Sequence, residues 1–350
     1  MTPAQIHEEI RKSGGIVQPS PGDVHVNAAL TNVSIAYAQA AGGFVCNRAF
    51  PEVPVMKQSD AYFLYDRSDW NRDDMTERRP GTESAGATYG MSTATYYARP
   101  YAIHKDIPDQ VRANADMAVS PDRDATMFLT NKSMIQKERV WASQFLTDSV
   151  WSFSADGAAS ASGTLTFATD ANNNLVYWSS AASTPIEDVR AMCRAVQQST
   201  GFRPNVLVAS RPVYDVLIEH DDIIGRLNRG QTTGPAMANR RDLAMLFELD
   251  EVLVMDAIHN DAAIGETADH EFIGGNNALL LYRPSSPGLM TPSAGYMFSW
   301  RAFIGGGMMG QRIKKFRMEE LASDRVEIES AYDFKLVSAD LGCFIDDIVQ

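Results

Sequence analysis

The sequence predicts an α+β chain, and three observations carry that prediction. Two β-prone aromatic runs, Ala61-Tyr62-Phe63-Leu64-Tyr65 and Thr93-Ala94-Thr95-Tyr96-Tyr97-Ala98-Arg99-Pro100-Tyr101, bracket a charged, Gly/Ser/Thr-rich stretch. One long helical pattern starts near Ser120. After it, helical segments alternate with continuous apolar runs in α/β style, and the chain then returns to long, nearly alternating strands.

The N-terminal stretch, residues 1–55, does not read as a domain. Residues 4–12 form a short helical segment stopped by Gly14-Gly15, and Pro19, Pro21 and Gly22 follow. Phe44-Val45-Cys46 looks strand-like, and Pro51 and Pro54 hold the next residues extended. Phe44, Phe50, Val53 and Val55 are buried-type residues, so an extended arm packed along another part of the chain fits better than a disordered tail.

The two aromatic runs read as one long hairpin. The polar middle is too long for a tight turn, and long loops of this kind are functional or disordered. Its near-balanced charges, with Trp70 among them, suit an arm that lies on another protein. A floppy surface hairpin fits the stretch alone equally well.

Val111 to Met117 is one helical turn or two. Ser120-Pro121-Asp122 is a strong helix start, with Ser able to cap and Pro suited to the first turn. The helix runs to about Thr147, with Phe128, Ile135, Ala142 and Phe145 on one face and Met127, Met134 and Trp141 beside it. Residues 154–163 are small and flexible, a hinge, and 164–167 and 175–178 look like short strands. A helix follows from Thr184-Pro185 to Gly201. Buried strands are expected at 206–209, 251–255 and 278–282, with helices at 210–217, 221–227 and 241–249. Residues 295–303 are strand-like, 304–310 a glycine bend, and 311–317, 323–330, 334–337 and 341–345 return to β structure.

Composition narrows the function. The chain has 350 residues, 45% of them hydrophobic, and a formal net charge of -13. That balance argues against gripping nucleic acid along a broad basic face. Cys46, Cys193 and Cys343 are odd in number and widely spaced, so neither a disulfide framework nor a zinc knuckle is expected, and the chain suits a reducing cytoplasm. No apolar run reaches membrane-spanning length, and the polar, acidic start lacks the pattern of a secretory signal.

Motifs for chemistry are sparse. His259-Asn260-Asp261 and His270-Glu271 are the nearest thing to a metal or acid–base cluster, but they read as loop residues without an HExxH scaffold. Gly305-Gly306-Gly307 lacks a following GK[ST], and no GxSxG elbow occurs. No cofactor, no metal and no catalytic residue is expected. Arg312, Lys314, Lys315 and Arg317 form a small basic strand, read as solvated or as a subunit contact because Glu319-Glu320 follows.

The order of parts, together with Asp60-Ala61-Tyr62-Phe63-Leu64-Tyr65-Asp66, Arg78-Arg79-Pro80-Gly81, residues 96–109 and Ser330-Ala331-Tyr332-Asp333, resembles the major capsid protein of tailed bacteriophages, the Hong Kong 97-type fold. The resemblance implies an N-terminal arm (1–55), an extended loop (56–105), a peripheral domain with the spine helix (106–155), an axial domain (156–304) and peripheral-domain strands (305–350). It implies a structural role: pentamers and hexamers of this chain in an icosahedral shell, assembled in the host bacterial cytoplasm and enclosing double-stranded DNA without specific binding. A separate scaffolding protein and a portal are implied partners, and a decoration protein an optional one; no membrane partner is. Some relatives cross-link a lysine of the extended loop to a neighbour, but residues 58–104 contain no lysine. Non-covalent contacts through Arg67, Trp70, Arg72, Asp73, Asp74, Glu77, Arg78 and Arg79 are therefore expected. The competing readings are an encapsulin-like compartment and an α/β enzyme using His259, Asp261 and His270.

Overall fold

The computed structural model describes residues 39–114, 120–160, 174–228, 238–263, 265–288, 290–304 and 311–350. The chain enters through a short helix, α1 (Cys46–Ala49), and a strand, β1 (Glu52–Val55). β2 (Ser59–Tyr65) and β3 (Met91–Tyr97) form the expected antiparallel hairpin, with α2 (Arg67–Trp70) just past the first strand. β4 (Arg99–Pro108) leads into α3 (Asp109–Ala113), and α4 (Pro121–Phe145) is the spine helix. Next come β5 (Phe153–Ala158), β6 (Asn174–Val176), α5 (Pro185–Thr200), β7 (Val206–Ser210) and α6 (Arg211–Glu219). α7 (Asp221–Asn228), α8 (Arg240–Phe247) and β8 (Glu251–Met255) follow, then a small hairpin of β9 (Ile258–Asn260) and β10 (His270–Phe272). β11 (Ala278–Leu281), β12 (Gly295–Trp300), α9 (Arg301–Ile304), β13 (Gln311–Met318), β14 (Ser323–Leu336) and β15 (Gly342–Asp346) complete the chain. The segments expected at 4–12, 164–167 and 305–310 lie outside the described residues.

Two sheets organise these elements. β14 is the axis of a five-stranded sheet: β4 lines one edge, and β13 and then β12 line the other, with β1 parallel to β12. The second sheet has six strands in the order β6-β5-β15-β11-β7-β8 and carries α5, α6 and α8. Its central strands read as continuous apolar runs because both faces are covered. The expected divisions at 156–304 and 305–350 do not follow the sheets. Gly295–Trp300 belongs to the five-stranded sheet, and Gly342–Asp346 sits in the middle of the six-stranded one. Strand partners are fixed by register over long sequence distance, and local pattern is blind to that.

α4 starts as the sequence requires, with Pro121 in its first turn and Asp122 and Asp124 at the positive end of the dipole. The Ser120 side chain does not cap it. At the other end the Trp151 indole N–H donates to the Phe145 carbonyl at 2.7 Å, satisfying one of the orphan acceptors. The buried face is Ala125, Leu129, Ser133, Lys137, Glu138, Trp141, Ala142 and Phe145. Met127 and Phe128, expected on or beside the core face, are exposed. Phe128 instead carries the Lys105 and Lys132 ammonium groups over its ring, at 5.4 and 5.7 Å from the centroid. The Phe44-Val45-Cys46 strand is also corrected: Cys46 opens α1, and Val45 is its N-cap.

Phe50 is the point at which the parts meet. It is fully buried among Trp141, Phe145 and Phe334, with ring centroids 5.7, 4.6 and 6.4 Å away. Its core cluster takes Val206, Leu253 and Leu279 from one sheet and Met297, Tyr332 and Phe334 from the other. The arm residues are thus the wedge between the two sheets.

Candidate functional site: the hairpin of residues 59–97

The hairpin is a seven-pair ladder running from Ser59↔Tyr97 to Tyr65↔Met91. Alternation fixes its base on the body. Tyr62 and Tyr96 point to one face and pack on Phe298 of β12, at 5.2 and 4.6 Å between centroids, and the Tyr97 N–H donates to Asp333 at 2.8 Å. A two-stranded ribbon is marginal alone, so this aromatic seat holds it.

Past β2 the chain turns through α2. Asp66 caps that helix by accepting the Ser68 N–H at 2.8 Å, and Asp69 accepts the Gly90 N–H at 2.7 Å, which closes the two arms. A hydrogen bond to the charged form holds the Asp66 carboxyl below its ordinary range. Arg67 pairs with Asp340 at 2.8 Å, so the neck of the hairpin is tied to the body. Trp70 lies against Tyr65 and Tyr89, each at 6.1 Å, and stays 55% exposed.

The other expected contact residues sit farther out. Arg72 reaches Asp69 at 3.5 Å, the Asp73 side chain accepts the Met75 N–H at 3.3 Å, and Arg78 donates to the Thr82 carbonyl at 2.7 Å. The Arg79 carbonyl accepts from Thr82. Asp74 is half-buried, and Glu77 is exposed. Among the described residues, the hydrogen bonds and ion pairs of residues 72–90 stay within the hairpin. The eight residues thus divide into Arg67, anchored to its own body, Trp70 in an aromatic trio, and six that line an outlying polar segment.

The residues named for an enzyme reading are not gathered into a site. His259 lies 3.8 Å from Asp261, which takes Arg139 at 2.7 Å, while His270 is exposed on β10 opposite Asn260. A buried Ser183–His220 pair at 2.9 Å, which the sequence did not suggest, is wired for structure. His220 Nδ1 accepts the Asp222 N–H at 3.2 Å, so Nε2 carries the proton and donates to Ser183. That is the reverse of nucleophile activation. Register also brings Asp156 beside Asp346, with Asp148 near; their ligand atoms lie within 4.8 Å of one another. Burial, and then neighbouring negative charge, pushes the Asp156 and Asp346 carboxyls upward. The three are distant in sequence, and only the parallel pairing of β5 with β15 joins them.

The model of the family "Phage major capsid protein E" matches residues 162–283, within the part that builds much of the six-stranded sheet. The major capsid protein of Pseudomonas phage JBD67 is 22% identical over 325 residues, 93% of this chain and 97% of that protein. A phage-related protein from Bordetella bronchiseptica RB50 superposes with a TM-score of 0.63 at 18% identity, covering 89% of this chain and 93% of that one. The capsid structure of cyanophage P-SCSP1u gives a TM-score of 0.56 at 12% identity, covering 92% and 93%. The mixed architecture, with spine helix, hairpin and two sheets, is the fold expected from the sequence. The chain has the Hong Kong 97-type fold and is similar in sequence to a phage major capsid protein over nearly its whole length.

Proposed function

We propose that many copies of this chain close into the icosahedral shell of a tailed phage and enclose double-stranded DNA. The observation that carries this reading is the hairpin. Residues 72–90 are almost wholly exposed and, among the described residues, are bonded only within the hairpin, on a chain with a capsid fold. A segment that finds no partner on its own body is suited to one on a neighbour. Shell positions are only nearly equivalent, and polar, wet contacts adjust to that better than one rigid apolar patch. Each exposed ion pair contributes about 0–1 kcal/mol, and a closed lattice multiplies the sum.

The five-stranded sheet with α4 is the peripheral part in this reading, and the six-stranded sheet the axial part. The net charge of -13 keeps the inner wall from holding the genome tightly. A scaffolding protein, a portal and an optional decoration protein are the proposed partners, and the virion is the proposed location. Negative-stain microscopy of the purified chain, alone and with a candidate scaffold, tests the reading. Closed particles are expected, and their loss on deletion of residues 68–88, with a folded monomer remaining. A chain that stays monomeric at high concentration under both conditions overturns it, and particles holding protein cargo without nucleic acid in the native host would instead indicate a compartment.

A further inference from the structure

The outer edge of β4 has the geometry of a strand acceptor. The Asp109 N–H donates to the Ala322 carbonyl at 3.1 Å, one step beyond the Ser323↔Pro108 pair in the same register. Hydrogen-bonded pairs alternate along an antiparallel ladder, so the backbone groups of 99, 101, 103, 105 and 107 face β14. The other edge of β14 gives the same parity. There the Val337 N–H donates to the Ala294 carbonyl at 2.9 Å, in register with β12, which leaves the even positions of β14 for β4. The N–H groups of Ala102, His104 and Asp106 therefore point away from the sheet. Pro100 and Pro108 occupy the outward positions at either end, where a missing N–H costs no ladder bond. Among the described residues no strand pairs with this edge.

The face beside that edge is also unfinished. Ile107 is buried with Ala125, Leu129, Val326 and Ile328 under α4. Ile103, on the same face of β4, is 39% exposed, and Phe128 of α4 is 49% exposed. The Lys105 and Lys132 ammonium groups stand 5.4 and 5.7 Å from the Phe128 ring centroid. One more strand beyond β4 would cover Ile103 and Phe128 and face both lysines.

We propose that this edge takes a strand from a second copy of the chain, bonded at Ala102, His104 and Asp106, with apolar side chains over Phe128 and carboxylates toward Lys105 and Lys132. The inference rests on the shell reading, which surrounds every subunit with copies of itself. Charge favours the same occupant, since the chain carries 44 acidic against 31 basic residues. The prolines limit the added strand to a short window, a safeguard against open-ended pairing.

Amide hydrogen exchange on the wild-type chain, before and after assembly, is the test. The amides of 102, 104 and 106 are expected to slow by about tenfold or more in particles. His104→Pro removes the central outward donor while leaving the β14 ladder whole, and Phe128→Glu places a charge under the added strand. Each is expected to cut the assembled fraction about tenfold at fixed concentration with the monomer's melting temperature unchanged. If His104→Pro does not fold, the exchange data and Phe128→Glu decide. Particles in which the three amides exchange as fast as in the free chain overturn the edge proposal and leave the shell reading standing. A wild-type chain that never assembles overturns both.

Discussion

Glu138 holds Cys46 by its backbone: one carboxylate oxygen accepts the Cys46 N–H at 2.9 Å, and the other accepts the Val45 N–H at the same distance. The two donors sit at the start of α1, where helix geometry leaves N–H groups without intrahelical partners. A buried carboxylate is costly, and burial pushes the Glu138 carboxyl upward against the pull of those two bonds. Burial likewise lowers the Lys137 ammonium, which stands 5.1 Å from the Tyr332 ring centroid. Glu138→Ala strips both buried donors and is expected to cost about 2–4 kcal/mol in urea unfolding. Glu138→Gln keeps one acceptor and is expected to cost less. An unchanged midpoint for Glu138→Ala would remove this contact from the account of the arm.

Phe50 and Gly295 are coupled by contact. A Cβ at 295 would run into the Phe50 ring, so β12 passes the arm only because that position is glycine. Gly295→Ala is expected to cost about 1–3 kcal/mol by overpacking. Phe50→Leu makes room and costs by itself through lost packing. The double variant is expected to lose less than the sum of the singles, by about 0.5–3 kcal/mol in a thermodynamic cycle. Strict additivity would place the two side chains out of touch.

Acid is expected to loosen the far end of the β4–β14–β13 sheet first. Side-chain bonds to Arg325, Arg112 and Arg317 hold the carboxyls of Asp106, Asp324 and Asp109 below their ordinary range. For such groups the unfolded chain binds more protons than the native one. Their stabilisation is present above the ordinary value of about 4 and is lost as pH falls through the depressed native values. Glu138, Asp156 and Asp346 are shifted the other way, and protonation relieves them. A global melting curve mixes the two signs, so the readout is local exchange at β4 and β14. Lower protection there below about pH 4, with rates taken relative to the intrinsic exchange rate at each pH and the same loss already present at neutral pH in Asp106→Asn, is the expected result. Equal protection at both pH values would detach these pairs from the stability of the edge.

Local sequence carried some elements further than others. The hairpin strands, the start of α4 and the buried strands at 206, 251 and 278 were legible because their patterns depend on period, capping and turn chemistry. The α4 face was misread because its core positions include Lys137 and Glu138, polar residues that only a long-range partner makes tolerable. Phe128 misled in the opposite sense, as an aromatic left in the open. The membership of β15 in the six-stranded sheet has no local signature at all. At the hairpin the sequence named the outlying charged residues but not the Tyr65–Trp70–Tyr89 trio, whose members meet across the turn.

Residues 58–104 hold no lysine, so the hairpin cannot form an amide cross-link through its own amine. Mature particles boiled in detergent are expected to run as one band near 38.4 kDa. A ladder of multiples would mean a covalent bond from another part of the chain, and non-covalent closure would be wrong.

Trp70 separates holding the hairpin together from holding neighbours together. It meets Tyr65 edge-on at 87° and Tyr89 at 45°, contacts that contribute about 0.5–1.5 kcal/mol where rings are well packed. With more than half its surface exposed, it falls at the low end of that range within one subunit. Exposed aromatic and arginine side chains are enriched among residues that dominate interfaces, where truncation costs about 2 kcal/mol or more. Trp70→Ala is therefore expected to shift the monomer's stability by about 1 kcal/mol or less. The same variant is expected to raise the concentration needed for assembly by about tenfold or more, read by light scattering. Arg67→Ala, whose ion pair is to its own body at Asp340, is the control and is expected to leave that concentration nearly unchanged. If the two variants assemble alike, the ring faces solvent in the particle as well.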